Sequence, residues 1–576
     1  MGEERIMGSV RQTLWLAAKL LAVVGLVLTT NPESWNHVML LWGRKQFGTL
    51  IPFLAIWAAT FGALFIVALH PRLTWRLFWG VLITAGTAAG MGYYWVSHTQ
   101  LTMLDMLAAW GAAHEAGRAT SFYGREIIWT AGLLMASLAI FALPPPDIHA
   151  RVSMWLRRFS LAPLVPIAMI TGVIMIKGGN VYVPLPDQFS TVAMASIVGS
   201  KIATQKIPER QEVVWQPQYP GKQGNIVYLV DESIRADYID LTPGNIYTPN
   251  FAALADQVVN FGPASSAGNC SNYSNALLRF GASRMDLIGS VNTNPTLFQY
   301  AKRAGMRTVY IDAQAKGLSH GNDLQNFMNL KEQTSIDKFY LLRDMDVAYA
   351  DDALARIIVD ELSKGGPVFI YANKNGSHIP YDDSYPKQAA IFHPTMSESV
   401  TDTRSARIAS YHNGIAWSVD RFMKNLFAAA DFRNTTMIYT SDHGQELDPG
   451  HLTHCLAEGA APQIHLVPLM VHTSDPALRV KFEHGASLLK GKASHFQIAP
   501  AIYQLMGYRA ADIATKYDES LFDGTSRAPE TTSGDIFGLF SSDVHWNPVD
   551  LNQNYHEPDA GQPVSIVDKP QTGQQG

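Results

Sequence analysis

Between residues 14 and 176 the chain carries five runs rich in Leu, Ile, Val, Ala and Trp, at roughly 14–30, 49–69, 77–96, 127–143 and 161–176. A helix needs about 20 apolar residues to cross the hydrocarbon core of a bilayer, and each run approaches that length. One such run fits a buried core helix; five in close succession do not. A cleaved signal peptide does not account for the first, because no small-residue cleavage site ends it and "ESWNHVMLLW" follows. Residues 1–177 are therefore expected to form a five-helix transmembrane domain.

Lys and Arg near span ends tend to stay in the cytoplasm. Arg5 and Arg11 precede the first run, Arg72 and Arg76 lie between the second and third, and Arg151, Arg157 and Arg158 between the fourth and fifth. Arg44, Lys45, Arg118 and Arg125 weigh weakly the other way. With the N-terminus inside and five crossings, everything after Lys177 lies outside, which in a bacterium is the periplasmic face of the inner membrane. The net charge of −5 over 576 residues, without a long basic block, speaks against nucleic acid as a partner. Two cysteines, Cys270 and Cys455, allow one intramolecular bridge or two free thiols, so the outer part must fold mainly on its own core.

Residues 178–222 read as a periplasmic connecting segment punctuated by Pro and Gly, with one helical patch near 190–205. From Asn225 the pattern changes. "NIVYLV", "MRTVYI", "PVFIYA", "TTMIYTSD" and "HLVPLMV" predict strands; "TPNFAALADQV", "DDALARIIVDELS" and "YHNGIAWSVDRFMKNLF" predict amphipathic helices between them. Alternating strands and helices imply an α/β domain over 223–530 with a doubly wound, mostly parallel sheet. The extension 531–576 is polar, and beyond about residue 555 its Gln, Gly and Pro content predicts disorder.

Ligands of such sheets gather at the carboxyl ends of the strands. There "NIVYLV" runs into Asp231 and Glu232, "PVFIYA" into "NKNGSH" and "TTMIYT" into "SDHG". Taken singly, strand-end acids often only cap helices. Together, Glu232, Asp442 and His443 offer the oxygen and imidazole donors that a catalytic Zn²⁺ accepts, with a hydroxyl completing the set.

These residues carry a resemblance. The outer part resembles the alkaline phosphatase and sulfatase superfamily, and with the preceding apolar runs the chain is similar to the membrane-bound phosphoethanolamine transferases that modify lipid A. "VDESIRADY" resembles the family's first metal motif with Glu232 as ligand, and "TSDHGQ" the second, with Asp442 and His443. "GSHIPYDDSYP" resembles the His-bearing loop and places His378 beside the substrate or a second cation. "YHNGIAWSVDRF" and "SHFQIAPAIYQLMGY" resemble the central and closing helices. "HLTHCLAEGAAPQIHLVPLMV" resembles the stretch that supplies another active-site His, His454 matching better than His451.

The resemblance also bears on "AGNCSNYSNALLRFG", residues 267–281. The family nucleophile is typically a Thr about forty positions after the Glu ligand, with a hydroxyl residue three places on. Ser271, 39 positions after Glu232 and followed by Ser274, fits best. Ser274 and Cys270 remain alternatives, although "CSNYS" lacks the Pro and Arg that formylglycine maturation of a sulfatase Cys requires. A Zn²⁺ held by Glu232, Asp442, His443 and Ser271 would lower the pKa of the hydroxyl, and a helix starting near "NALLRFG" would favour the phosphoryl charge. A second Zn²⁺ near His378 and His454 is a further expectation. Lys374 and Asn375 read equally as phosphate contacts or as an exposed polar loop. The family's outer domain usually carries several disulfides, and this chain departs from that.

The resemblance implies a monomeric inner-membrane enzyme. It would move phosphoethanolamine from phosphatidylethanolamine to lipid A or another envelope glycan through a phospho-Ser intermediate. A phosphoglycerol transferase of the same superfamily, or a catalytically dead membrane sensor or scaffold, are the alternatives.

Overall fold

A computed structural model describes residues 2–111, 120, 123–147, 150–177, 184–204, 208–314, 328, 330–342, 344–456, 460–540, 544–553 and 555. The tail expected to be disordered lies outside the described residues. The chain divides into two compact units, Met1–Lys206 with Leu539–Ser542, and Ile207–Gly538 with Asp543–Gly576.

The first unit is helical. Each of the five apolar runs lies wholly or largely in a helix: Gly2–Thr29, Phe47–Leu69, Leu73–Ser97, Gly124–Ala142 and Leu164–Ile176. Three helical stretches, Val10–Thr29, Phe47–Leu69 and Gly124–Ala142, are long and apolar enough to cross a membrane, and Leu164–Ile176 is a shorter apolar helix. Buried Arg76 joins the ends of two of them, donating from Nε to Phe141 O (3.1 Å) and from Nη1 to His70 O (2.9 Å). The helix Asp187–Thr204 carries Asp187 against Gly90, where an added Cβ would sit 2.6 Å from the carboxyl carbon. A buried amide network fastens its start: Gln188 Nε2 donates to Thr30 Oγ1 (2.8 Å), and Asp187 N to Asn31 Oδ1 (3.0 Å).

The second unit is built on a seven-stranded sheet of order β2-β7-β6-β1-β5-β3-β4. The strands are β1 (Asn225–Asp231), β2 (Val259–Ser265), β3 (Arg307–Asp312), β4 (Lys338–Leu341), β5 (Val368–Asn373), β6 (Thr435–Ser441) and β7 (Leu466–Thr473). β6, β1, β5, β3 and β4 run parallel; β7 is antiparallel to both β6 and β2. The central strands are buried along almost their whole length, as a sheet with both faces covered requires. A separate hairpin pairs β8 (Glu530–Gly534) with β9 (Val544–Pro548).

All five strands expected from the sequence form, as β1, β3, β5, β6 and β7. "DDALARIIVDELS" lies within the helix Val347–Ser363. "TPNFAALADQV" does not form the expected amphipathic helix. It breaks into the turns Pro249–Ala252 and Ala255–Gln257 and runs straight into β2, because buried Asp420 ties it down by accepting from Phe251 N (2.7 Å) and Asn250 Nδ2 (2.6 Å). "YHNGIAWSVDRFMKNLF" is helical but contains a widened π turn at Ala416–Arg421.

Lys374 and Asn375 are buried, which overturns the reading of an exposed polar loop. Lys374 Nζ pairs with Asp231 Oδ2 and donates to Ser418 O (2.6 Å) in the π turn. Asp351 Oδ1 accepts from Asn375 N (2.7 Å). The turn then folds so tightly over β1 that only glycine fits at 376: φ is +58°, and a Cβ would meet Glu232 O at 2.3 Å and Glu232 N at 2.7 Å. Gly376→Ala is expected to cost on the order of 2 kcal/mol or more from strain and overpacking. Chemical denaturation should show a lowered midpoint, whereas an unchanged one would contradict the close approach.

Candidate active site

β1 and β6 are neighbours in parallel register, with Asp231 opposite Ser441, so the residues that follow them emerge side by side. Glu232 leaves β1, and Asp442 and His443 leave β6. Asp442 N donates to Asp231 O (2.9 Å), and Ser441 Oγ accepts from Ile234 N (2.8 Å), stitching the two strand ends together. Ser233 then takes a left-handed backbone, φ +64°, which aims its N–H at Asp442 Oδ1 (3.0 Å) and its hydroxyl at Glu232 Oε1 (2.6 Å).

The result is a buried cluster in which ligand atoms of Glu232, Asp442 and His443 all lie within 4.8 Å of one another. His443 Nδ1 faces the carbonyl of Gly444 at 2.7 Å, and a carbonyl only accepts. The ring proton therefore sits on Nδ1, and the Nε2 lone pair points at Glu232 Oε1 (3.6 Å) and Asp442 Oδ2 (3.5 Å). Burial holds the His443 imidazole below its usual pKa, favouring that neutral form. Burial also drives Asp442 well above the carboxylate range, reinforced by the charge of Glu232. For Glu232, burial acts upward, but the neighbouring imidazoles of His443 and His378 together with hydrogen bonds from Ser233 and Asp442 leave the group below its usual value.

Asp442 Oδ1 accepts two backbone N–H groups, whereas Oδ2 is buried without a hydrogen-bond partner. Two acids, one of them with an orphaned oxygen, and one unprotonated imidazole nitrogen form the donor set that a Zn²⁺ ion fits. Glu232 is further oriented by Gln314, whose Nε2 donates to Glu232 Oε2 (3.0 Å) and Lys374 O (2.7 Å). The sequence offered no clear sign of Gln314 or Ser233 beyond their positions just past strand ends.

Ser271 is the residue brought to this cluster. Its Oγ lies 3.2 Å from Glu232 Oε1 and 3.0 Å from His443 Nε2. It opens the helix Ser271–Phe280, where first-turn N–H groups lack intrahelical acceptors and favour a negative ligand. Ser274 points away, its hydroxyl donating to Gly268 O (3.0 Å). Cys270 is bonded to Cys455, so of the two arrangements open for the thiols the structure has the bridge, and the Cys270 sulfur is engaged. The His454 ring stacks on His443 at 4.5 Å between centroids, and His378 lies 5.4 Å from His454. Burial, with His443 and His378 nearby, holds His454 well below the usual imidazole range. His451 is exposed.

Residues 224–508 match the model of the sulfatase family. Over 545 residues the chain is 21% identical to the Kdo(2)-lipid A phosphoethanolamine 7''-transferase of Escherichia coli, covering 85% of this chain and 92% of that protein. It is 23% identical over 367 residues to the phosphatidylethanolamine transferase Mcr-1 of Escherichia coli, covering 59% and 62%. Among solved structures, the integral membrane lipooligosaccharide phosphoethanolamine transferase A of Neisseria meningitidis superposes with a TM-score of 0.57 at 18% identity, covering 78% of this chain and 90% of that one. That likeness establishes a shared fold: a helical N-terminal part followed by an α/β sheet domain.

Asp442→Asn tests the cluster. It removes one acidic donor and also relieves the repulsion between Asp442 and Glu232. Zinc at about 100 times its dissociation constant is expected to stabilise the unmodified protein by roughly 2.7 kcal/mol. The variant should melt no lower than the metal-free protein and lose most of the zinc-dependent gain. An undiminished gain would place the metal elsewhere.

Proposed function

We propose that the chain is an integral-membrane phosphoethanolamine transferase, because residues 224–508 match the sulfatase family model and the chain carries helices fit to cross a membrane. In this reading the five apolar helices span the bacterial inner membrane, and the sheet domain faces the periplasm. The donor is phosphatidylethanolamine, and the acceptor is a phosphate or hydroxyl of lipid A or a related envelope glycan. The relatives named for this chemistry support the substrate class. The single observation that carries the catalytic assignment is the position of Ser271 Oγ, within hydrogen-bonding distance of both Glu232 and His443 at the start of a helix.

Glu232, Asp442, His443 Nε2 and Ser271 Oγ are the residues that would hold Zn²⁺. When bound, the ion supplies positive charge that lowers the cost of ionising a neighbouring hydroxyl and of crowding phosphoryl oxygens. The chain's own residues do the rest. Ser271 Oγ attacks the donor phosphorus; an Oγ–P bond forms, and the bond to the diacylglycerol oxygen breaks. The proton given up by the Ser271 hydroxyl ends on that oxygen, diacylglycerol leaves, and Ser271 carries phosphoethanolamine. Backbone N–H groups of the first helical turn face the extra negative charge.

In the second half the acceptor oxygen attacks the same phosphorus and Ser271 is released. His454, stacked on His443 with His378 beside it, is placed to take the acceptor's proton. Such a double displacement gives ping-pong kinetics. Lys374 is assigned no phosphate contact, since its ammonium is committed to Asp231 and Ser418 beneath the site.

Incubation of the full-length protein with phosphatidylethanolamine labelled in its head group, without acceptor, should leave the labelled head group on Ser271, located by peptide mass spectrometry. Ser271→Ala should lose the adduct and at least about 1,000-fold in turnover. His454→Ala should still form the adduct but discharge it slowly. Full turnover by Ser271→Ala, or label carried on Ser274, would overturn the assignment.

A further inference from the structure

Ser271 and His454 each stand one residue from an end of the same covalent bridge. Cys270 precedes Ser271, Cys455 follows His454, and their sulfurs are bonded across a separation of 185 residues, with Cα atoms 4.4 Å apart. Two hydrogen bonds flank the bridge: Cys455 N donates to Asn269 O (2.7 Å), and Asn269 Nδ2 donates to Leu456 O (2.7 Å). Cys455 itself holds a left-handed backbone, φ +63°, which an L side chain adopts only under constraint.

The two loops joined in this way are anchored unequally. The nucleophile loop has ties of its own: Ser265 N to Ala493 O (2.9 Å), Ser266 N to His465 O (2.9 Å), Ala267 N to His495 Nδ1 (3.1 Å) and Thr532 N to Ala267 O (3.0 Å). It then enters the helix that begins at Ser271. Glu232 directly follows β1, and Asp442 and His443 directly follow β6, so the pairing of those strands sets their places. By contrast, Thr453 O accepts from Glu446 N within its own loop (2.8 Å). Among the described residues, the backbone hydrogen bonds that tie 454–456 to the rest of the unit run to Asn269, next to Cys270.

We propose that the Cys270–Cys455 bridge is a positioning element for His454. It holds the imidazole against His443, while Ser271 and the acidic cluster keep their places without it. The inference rests on the roles proposed above for Ser271 and His454. Its consequence is a redox dependence confined to one half of the reaction. A dithiol breaks the S–S bond by delivering two electrons and two protons to the Cys270 and Cys455 sulfurs, and is itself oxidised to a disulfide. His454 then loses its register, and the step that discharges Ser271 slows, whereas loading of Ser271 continues.

The experiment separates loading from discharge on the full-length protein, by labelled head group on Ser271 and by transfer to acceptor. Reduction should slow discharge by about 10- to 100-fold, leave the adduct yield intact and be reversed on reoxidation. A Cys270→Ala, Cys455→Ala double variant should match the reduced protein, ignore dithiol and bind zinc normally, the zinc being measured on this variant because no thiol competes. Adding His454→Ala to it should cost little more, so that the two changes are strongly non-additive. Unchanged discharge after reduction, additive effects with His454→Ala, or loss of zinc binding and loading together with discharge would each overturn the proposal, the last by making the bridge a general staple. Failure of the parent reading is a separate result: Ser271→Ala would then remain active in the bridged protein.

Discussion

Two carboxylates buried within 4.8 Å of each other and of a bare imidazole nitrogen repel unless a cation or a proton stands between them. The rest of the second unit is organised around that constraint. Parallel pairing of β1 with β6 brings the acids together; backbone N–H groups satisfy Asp442 Oδ1, and the side chains of Ser233, Ser271 and Gln314 satisfy both oxygens of Glu232, which leaves Asp442 Oδ2 without a partner. Asp442 turns its unpartnered Oδ2, and Glu232 its Oε1, toward His443 Nε2, a set of donors that would suit a divalent cation.

The surroundings are under strain in the same place. Of the non-glycine residues with positive φ in the second unit, Ser233 follows Glu232 and Cys455 follows His454. Gly376 passes over Glu232 at a distance no other residue permits. Beneath the cluster, buried Asp231 would add a third negative charge, and Lys374 offsets it; the π turn at Ala416–Arg421 presents the Ser418 carbonyl that holds the ammonium. Strain and buried charge of this kind persist where surrounding packing over-determines them, and here they converge on one set of side chains.

Much of this was legible in the sequence, for identifiable reasons. β1, β3, β5, β6 and β7 are continuous apolar runs because they are covered on both faces, and Glu232, Asp442 and His443 stand immediately past such runs. The hidden elements lacked that signature. β2 contains Gly262 and Pro263 and slips register between Asn260 and Pro263; β4 is four residues long; β8 buries Thr531 and Thr532 rather than aliphatic side chains. Lys374 and Asn375 read equally as phosphate contacts or as an exposed loop because their partners Asp231, Asp351 and Ser418 come from other segments. The Cys270–Cys455 bond joins loops that only the closed sheet brings together. Among the hydroxyls, spacing alone left Ser274 open beside Ser271, and the folded site separates them: Ser271 Oγ meets Glu232 and His443, whereas Ser274 turns to Gly268 O.

Glu232, Asp442, His443 and Ser271 would together hold one divalent cation. Crystals grown with zinc and measured at the zinc absorption edge test it most directly. An anomalous peak is expected within coordination distance of a carboxylate oxygen of each acid, His443 Nε2 and Ser271 Oγ. An empty cluster with zinc ordered elsewhere, or an ion held by the two acids and His443 while Ser271 turns away, would contradict it.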